Sequence, residues 1–555
     1  MTLATFLFDA LDRAGVRQIF GIPGDFALPL YEALQHDGRF QVVRFSHEPA
    51  VGFAADGSAR ISGGLGVCCV TYGAGGLNMV NSVACAYAEE SPLVVLSGGP
   101  GRAERRRGVH VHHQVKTFES QLKVYAEVTE YSAILDDPDT AANHITRAID
   151  VAARLKRPVY LEIPRDMVNE PIDISDTRPR TMDRGIDEGA VEEAAQEILA
   201  RLRGARQPVI IVGVEVHRFR LREQVVRLAE RLNVPVASSF LGRGVFPTRH
   251  PQFAGTYLGV VSPQPLRDAV ESSDCVLLLG ERISDTSLGV SADRLTESNL
   301  ILAVADDVFI GHHRYQRTPL TRIVERLGAE ESLPRRTDVI QQRPEEARAR
   351  TAWPTGAEPV SVGQVIDVLN DFLDEHPEVP LVCDTGDALF ASVEIRSNEV
   401  MAPAYYATMG FAVPAALGLQ VTSRRRPIVL VGDGAFQMTG PEISHAPEYD
   451  CNPVVIVLNN TSWEMLQAFF PNARYNRTAA WPFAKLADLW GGHGTRITTA
   501  RELESALRTA WIDTRFSIIE VPLAAGDISP VLARFVAAFK EKVYDKGGQR
   551  GQVLN

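Results

Sequence analysis

The chain has 555 residues, of which 45% are hydrophobic and 23% are charged, and its formal net charge is −12. This length allows about three domains with ample hydrophobic cores, and the acidic balance argues against a broad nucleic-acid or anionic-membrane surface. We therefore expect a globular protein whose partner is a small molecule, with no nucleic-acid and no membrane partner.

The first twenty residues and the cysteines indicate the compartment. Asp9 and Asp12 interrupt the N-terminal apolar pattern and no small-residue cleavage site follows, so this segment predicts an amphipathic helix rather than a signal peptide. No apolar run reaches the ~18 residues of a membrane span. The cysteines show no paired CxxC spacing that would indicate zinc or redox chemistry, and they favour a reducing, cytoplasmic setting. They are Cys68, Cys69, Cys85, Cys275, Cys383 and Cys451.

Residues 1–175 alternate apolar, β-rich runs with helical stretches. The strand-like runs are QVVRFS, GVCCVTY, PLVVLSG and PVYLEIP, and the helical stretch HITRAIDVAARLKR precedes the last of them. This alternation is typical of a parallel α/β layer. A segment rich in charge, proline and glycine at 171–189 then predicts a linker.

Two further α/β units follow, at 190–335 and 357–535. The first contains the helix VEEAAQEILARLRG, the strands PVIIVGVEV, DCVLLLG and LILAVA, and the helix LTRIVERLG; a polar connector at 331–359 comes next. The last unit opens with the helix VSVGQVIDVLNDFLDE and the strand PLVCDTG and ends with the strand SIIEVPL. Residues 536–555 are predicted to be a C-terminal tail. The sequence thus predicts three α/β domains built on parallel sheets.

Within the third unit, two oxygen-bearing side chains follow successive buried strands. Asp433 comes after PIVLV in the turn GDG, and Asn460 comes after PVVIVL in the pair NN. A strand, a crossover helix and the next parallel strand need about 30 residues, so the two loops are expected at one edge of the sheet. Hard oxygen donors there suit Mg²⁺ that also holds a phosphate. Taken alone, Asp433 also fits a turn residue and Asn460 a strand-end cap.

The stretch GDGAFQMTG…VVIVLNN resembles the signature by which thiamine-diphosphate enzymes bind their cofactor through Mg²⁺. The resemblance covers nearly the whole chain. It implies that Asp433, Asn460 and the carbonyl oxygen of Ser462 bind the metal. It also implies a pyrimidine-binding (PYR) domain, a central domain and a diphosphate-binding (PP) domain in the three units described above.

Residues of the first unit resemble the catalytic residues of the decarboxylase branch. The motif PGDF carries Asp25, and HEPA carries Glu48, which by resemblance bonds N1′ of the aminopyrimidine and promotes formation of the ylid. The adjacent His112 and His113 resemble the double histidine of pyruvate and indolepyruvate decarboxylases, a pair able to move protons. From the residues alone, Glu48 also fits an acid in the first turn of a helix, and the histidines also fit a solvated loop.

The resemblance also places the remaining cofactor residues in the third unit. VCDTGD lies beside the cofactor, and YYATMGF supplies the apolar residue that holds the cofactor bent, although a methionine there also fits a core position. Besides the three metal ligands, the expected cofactor-binding residues are Thr385, Asp387, Met409, Gly432, Gly434, Ala435, Trp463, Glu464 and Met465.

One position departs from the pyruvate decarboxylase pattern. Those enzymes carry a glutamate where this chain has Leu466. Benzoylformate-type decarboxylases also have a leucine at this place. With Met465, Leu466 makes an apolar wall that suits an aryl side chain better than a methyl group. Asp25 or His113 must then donate the proton that follows loss of CO₂.

We therefore expect non-oxidative decarboxylation of a bulky or aromatic 2-keto acid, with phenylpyruvate or indole-3-pyruvate preferred, to an aldehyde and CO₂. The alternatives are an acetolactate synthase-like carboligase and an inactive phosphate-binding scaffold. The resemblance also implies that the PYR domain of one chain meets the PP domain of another, so we expect a dimer or tetramer.

Overall fold

The computed structural model describes residues 1–107, 110–175, 185–284, 299–329, 358–471 and 473–541. Within these residues the chain forms three α/β units, each built on one mostly parallel sheet, so the predicted fold class is confirmed. The middle of the expected linker at 171–189, nearly all of the connector at 331–359 and the end of the expected tail lie outside the described residues. No helix in the described part has both the length and the apolar character needed to cross a membrane.

The first unit is a six-stranded parallel sheet of order β2-β1-β3-β4-β6-β5. Its central strand β4 is buried along its whole length, which is why its sequence LVVLSGG does not alternate. The strands are β1 Gln18–Gly21, β2 Gln41–Arg44, β3 Gly66–Val70, β4 Leu93–Gly99, β5 Tyr131–Ile134 and β6 Val159–Pro164. The helices are α1 Leu3–Arg13, α2 Leu28–Asp37, α3 Glu48–Ser62, α4 Ala74–Asn78, α5 Val80–Ala88, α6 Arg102–Arg107, α7 Ser120–Ala126 and α8 Ala141–Leu155.

The central unit is a seven-stranded sheet of order β13-β12-β11-β10-β7-β8-β9. Its last two strands run antiparallel, which the sequence interpretation did not anticipate. The strands are β7 Pro208–Val212, β8 Val236–Ser238, β9 Phe253–Thr256, β10 Cys275–Leu279, β11 Leu300–Val304, β12 Asp307–Ile310 and β13 His313–Gln316. The helices are α9 Glu188–Gly204, α10 Val214–Arg218, α11 Arg222–Leu232, α12 Gln264–Glu271 and α13 Leu320–Ala329, with a 3₁₀ turn at Gly259–Val261.

The third unit is a six-stranded parallel sheet of order β15-β14-β16-β17-β19-β18, which repeats the strand order of the first unit. The strands are β14 Leu381–Cys383, β15 Val400–Met401, β16 Ile428–Gly432, β17 Val454–Asn459, β18 His493–Arg496 and β19 Ser517–Pro522. The helices are α14 Val362–Glu375, α15 Asp387–Ala391, α16 Ala412–Ser423, α17 Asp433–Thr439, α18 Glu464–Phe469, α19 Phe483–Leu489, α20 Ala500–Ile512 and α21 Pro530–Lys540, with 3₁₀ segments at Gly440–Tyr449 and Arg474–Asn476.

The first and third units of one chain pack together where α3 crosses α16. The two helices approach so closely that a Cβ built on Gly57 would lie 2.2 Å from the carbonyl oxygen of Ala415, and one on Gly418 would lie 1.9 Å from that of Ala54. Phe53 and Phe411 continue the contact edge to face, with ring centroids 5.7 Å apart. Because of this crossing, the two units share one hydrophobic core.

Buried charges join all three units beside this crossing. Arg60 of α3 makes a bidentate ion pair with Asp56, at 2.7 Å for each hydrogen bond, and donates to the carbonyl of Ala402 in the third unit. Glu89 accepts hydrogen bonds from two backbone amides of that unit at 2.7 and 2.8 Å. Arg218 of the central unit donates to the carbonyls of Glu89 and Glu90. Each of these buried charged side chains therefore makes hydrogen bonds to backbone groups of another unit.

Candidate active site

The loops that carry Asp433 and Asn460 leave neighbouring strands at the same edge of the third sheet. Strands β16 and β17 are parallel, with Gly432 opposite Leu458. Asp433, which the sequence placed in a turn, is the first residue of α17. Thr478 links the two loops, because its hydroxyl donates to the Asp433 carboxylate at 2.6 Å and its amide donates at 3.1 Å to the carbonyl of Thr461, the residue after Asn460. The structure therefore brings these two expected ligands together at the strand ends.

Asp433 is a buried carboxylate with neutral hydrogen-bond partners. It is 1% exposed, and Thr478 Oγ1 donates to its Oδ2 at 2.6 Å. Burial raises the pKa of Asp433, although the hydroxyl and nearby backbone amides act to lower it. Among the described residues, the side-chain oxygen of Asn460 accepts one hydrogen bond, of 3.2 Å, from the Ser462 amide. A divalent cation would supply the positive charge that Asp433 lacks, so this oxygen-rich site fits Mg²⁺.

The two glycines of the turn have different surroundings. A Cβ on Gly432 would meet nothing within 4 Å, whereas one on Gly434 would lie 2.3 Å from the indole ring of Trp463. Gly434 is therefore small because Trp463 packs on it, and not only because a ligand approaches. Ala435 is buried beside it in α17. The Trp463 indole nitrogen is buried without a hydrogen-bond partner among the described residues.

Asp384, which sequence reasoning missed, connects two of the segments that are expected to bind the cofactor. Its carboxylate accepts hydrogen bonds from the amides of Thr385 at 2.9 Å, Gly410 at 2.9 Å and Ala412 at 2.8 Å. Burial raises its pKa to about 6. Thr385 Oγ1 donates to the Thr408 carbonyl, which fixes the segment that presents half-buried Met409. The sequence signal that could have identified Asp384 is its position as an acid directly after the buried strand β14.

Asp387 belongs to an acidic group next to α18. Ser529 donates to both of its carboxylate oxygens, from its amide at 2.9 Å and from its hydroxyl at 2.5 Å. Burial raises the pKa of Asp387 to about 6, and the charges of Asp527 and Glu464 add to the increase. Glu464 is 5% exposed and accepts from the amide of Gly526 at 2.8 Å and from the Ser462 hydroxyl. Glu464 therefore braces the loop that carries Ser462.

Glu48 begins α3, directly after β2, with Pro49 in the first turn. Asn78 Nδ2 donates to Glu48 Oε2 at 2.7 Å, a contact that the sequence did not indicate. A Cβ on Gly75 would lie 3.4 Å from Glu48 Oε1 and 3.1 Å from the Thr71 side chain. One carboxylate oxygen is thus held by Asn78, while the other lies beside Gly75.

Asp25, His112 and His113 form one cluster at the carboxyl ends of the strands of the first sheet. His112 Nε2 lies 2.5 Å from Asp25 Oδ2, and His113 Nδ1 lies 3.9 Å from Asp25 Oδ1. Burial acts to raise the pKa of Asp25, but the hydrogen bond and charge of His112 and the charge of His113 lower it below its ordinary value. His112 stacks on buried Phe26 at 4.8 Å between ring centroids. An acid and two imidazoles in contact can exchange protons.

Leu466 and Met465 occupy the first turns of α18, just after the Asn460 loop. The side chain of Leu466 is 46% exposed, and Met465 is half-buried against the core of the third unit. Phe470, at the end of the helix, is also exposed. This face of α18 is therefore apolar and accessible.

The three units match three known domains of one enzyme class. Residues 1–123 match the N-terminal TPP binding domain, residues 195–326 the central domain and residues 384–521 the C-terminal TPP binding domain of thiamine pyrophosphate (thiamine diphosphate) enzymes. The fold and the strand-end site therefore define a thiamine pyrophosphate enzyme.

Similar proteins indicate to which branch of this enzyme class the chain belongs. The chain is 42% identical over 550 residues to an indole-3-pyruvate decarboxylase of Azospirillum brasilense, covering 97% of this chain and 98% of that protein. It is 29% identical over 527 residues to a probable pyruvate decarboxylase of Schizosaccharomyces pombe, covering 92% and 91% of the two chains. It is 28% identical over 557 residues to pyruvate decarboxylase 3 of Arabidopsis thaliana, covering 96% and 92%. The chain belongs to the thiamine pyrophosphate-dependent 2-keto acid decarboxylases, and its cofactor is thiamine diphosphate.

Proposed function

We propose that this enzyme decarboxylates a bulky, aromatic 2-keto acid, with indole-3-pyruvate or phenylpyruvate preferred, to the corresponding aldehyde and CO₂. The observation that carries the preference is Leu466, an accessible apolar side chain one helical turn beyond the Asn460 loop. An aryl group gains more from apolar contact there than a methyl group does. The name of the Azospirillum brasilense relative supports the same substrate class.

We assign most of the cofactor contacts to the third unit. Asp433, Asn460 and the Ser462 carbonyl would hold Mg²⁺, and the backbone at Gly432, Gly434 and Ala435 would face the diphosphate. Thr385, Asp387, Met409, Trp463, Glu464 and Met465 complete the expected surroundings. When bound, thiamine diphosphate supplies an electron sink for the carbon that loses its carboxylate.

The chain's own residues supply the proton chemistry. Glu48 would exchange a proton with the aminopyrimidine ring nitrogen, a role in which Asn78 orients its carboxylate. Asp25 and the two histidines would accept and return the proton at the substrate carbon. Their contact at 2.5 Å supports this assignment, because proton transfer requires hydrogen-bond distance.

We also propose that the protein is a cytoplasmic dimer or tetramer, and that its domains are 1–175, 190–335 and 357–535, with a tail at 536–555. All six cysteines are free and buried, as in a reducing compartment. Helix α21 continues past the proposed start of the tail to Lys540. Exposed Met438, Leu466, Phe470 and Tyr475 offer apolar surface for another chain.

A substrate panel tests the proposal. With thiamine diphosphate and Mg²⁺ added, we expect aldehyde from indole-3-pyruvate and phenylpyruvate at a higher kcat/KM than from pyruvate or benzoylformate. Acyloin as the main product would support the carboligase, and no turnover of any keto acid would support the scaffold. Leu466→Ala is expected to reduce the preference for the aryl substrates over pyruvate about tenfold or more, whereas Leu489→Ala, on exposed α19, should not change it. An unchanged preference in Leu466→Ala would remove the structural basis of the proposal.

A further inference from the structure

His113 is held in an unusual backbone conformation directly over Gly73. Its φ is 67°, in the left-handed region, and a Cβ on Gly73 would lie 2.1 Å from the His113 carbonyl oxygen. His113 Nδ1 lies 3.2 Å from the carbonyl oxygen of Tyr72. A carbonyl only accepts hydrogen bonds, so Nδ1 must carry the proton in this contact. Nε2 is then the ring nitrogen that remains for proton exchange with substrate.

Gln121 fixes the backbone on which His113 depends. It is 1% exposed, and its Oε1 accepts a hydrogen bond of 2.6 Å from the amide of Gly73. Because a backbone N–H only donates, the orientation of the Gln121 amide group is determined. Its Nε2 then donates to Ser97 Oγ at 2.8 Å and to Tyr160 Oη at 2.7 Å. The peptide that presents the Tyr72 carbonyl is therefore attached to two strands of the sheet.

The hydrogen bonds continue in one direction from Gln121 to a buried ion pair. Tyr160 donates to Glu162 Oε2 at 2.7 Å, and Glu162 pairs with Arg105. Burial raises the pKa of Glu162, while the charge of Arg105 lowers it. Arg105 lies in α6, before the histidine loop, and Gln121 lies in α7, after it. One buried network thus anchors both ends of the loop that carries the histidines.

We propose that Gln121 and Tyr160 are positioning residues that keep His113 in the Nδ1–H tautomer by holding Gly73 and the Tyr72 carbonyl in place. The proposal rests on the proposed function, in which His113 exchanges protons with the substrate. The charged or titratable groups that face His113 are Asp25 and His112, whose ring centroid is 4.9 Å away. Without the fixed carbonyl, the His113 ring is free to turn and both neutral tautomers become populated.

The experiment uses the holoenzyme with thiamine diphosphate and Mg²⁺. Ring-¹³C-histidine NMR reports the tautomer of each imidazole, and the His113 signal is identified by its loss in His113→Gln. Gln121→Met removes all three hydrogen bonds of Gln121 at similar volume, and Tyr160→Phe removes one hydroxyl. The matched control is Gln252→Met, which deletes a buried glutamine of the central unit bonded to the carbonyl of Ala229.

We expect the Nδ1–H tautomer to dominate in wild type and in the control, and a mixture of tautomers in both network variants. We expect kcat to fall about tenfold to a hundredfold in Gln121→Met with KM nearly unchanged. An unchanged His113 tautomer in folded Gln121→Met overturns the proposal. If Gln121→Met does not fold, the His113 tautomer is measured in Tyr160→Phe instead, and an unchanged tautomer there overturns the proposal. If the network variants change the His113 tautomer but the wild-type enzyme makes no aldehyde, the proposed function is contradicted and the positioning role remains.

Discussion

At the residue scale, Glu48 is the side chain whose loss should separate binding from chemistry. Glu48→Gln keeps an oxygen that can accept from Asn78, but it cannot exchange a proton. We expect thiamine diphosphate to bind with nearly unchanged affinity, measured by quenching of tryptophan fluorescence, while aldehyde production falls at least about a hundredfold. Glu32→Gln, at an exposed position of α2, is the control. Full activity of Glu48→Gln would remove the acid–base role.

The raised pKa of Asp387 predicts how the stability of the fold depends on pH. Its pKa rises from an ordinary value of 3.8 to about 6, so the folded state binds the proton more tightly than the unfolded state. Stability therefore decreases as pH rises from about 4 to about 6. Asp387→Asn keeps both contacts with Ser529, since its carbonyl accepts from the amide and its NH₂ can donate to the hydroxyl.

We expect Asp387→Asn, without cofactor, to become more stable than wild type by about 1–3 kcal/mol between pH 4 and pH 6, and the difference to remain constant above that range. Thermal unfolding midpoints at several pH values measure it. Asp139→Asn, at an exposed position, should show no such trend. A difference that is the same at pH 4 and pH 7 would contradict the burial argument.

The sequence identified the acids and imidazoles of the site but not the residues that hold them. Asp25, Glu48 and His113 were found because their motifs resemble a family. Asp384 and Gln121 were missed because their partners lie on other strands and loops, and a single sequence does not show which distant backbone amide a side chain meets.

At the element scale, the crossing of α3 and α16 depends on two glycines. Gly57→Ala and Gly418→Ala would each place a methyl group about 2 Å from a carbonyl oxygen of the other helix. We expect each to reduce stability by about 1–3 kcal/mol or more, seen as a lower thermal midpoint. The control is Gly328→Ala in α13, where a Cβ meets nothing within 4 Å. It should stabilise by about 0.5–1 kcal/mol. Equal effects at the three positions would contradict the close approach.

Strands buried on both faces were predictable because their apolar runs are continuous, as in β4 and β17. The antiparallel pair β12 and β13 was not, because both strands are short and β13 is mostly exposed, so it lacks an apolar pattern. The GDG motif alone indicates a turn, so the sequence did not show that α17 begins at Asp433.

At the scale of the whole molecule, the first and third units share one strand order, which no sequence repeat revealed. Strand order depends on pairing between distant segments, so different sequences can produce it. Each of these units presents its candidate residues at the carboxyl ends of its strands, the usual ligand edge of such sheets. Under the proposed function, a complete site combines these two edges.

A mixing experiment tests whether the two edges come from different chains. Glu48→Gln and Asp433→Asn should each be inactive alone. Co-expressed in equal amounts, they should regain about a quarter of wild-type activity, because one site in four combines an intact Glu48 with an intact Asp433. No recovery in verified mixed oligomers would place both residues of a site in one chain. Glu48→Gln co-expressed with Glu48→Ala is the control and should stay inactive.

The buried charged side chains that hydrogen-bond across the unit boundaries affect how the enzyme can be engineered. Arg60, Glu89 and Arg218 each find their partners across a unit boundary. In a chimera that takes its diphosphate-binding unit from a relative, Arg60 and Glu89 would be buried without these hydrogen bonds unless the backbone around Ala402 and Tyr405 keeps its conformation. Recombination break points in this protein should therefore be chosen by the charges they separate, rather than by the ends of the sheets.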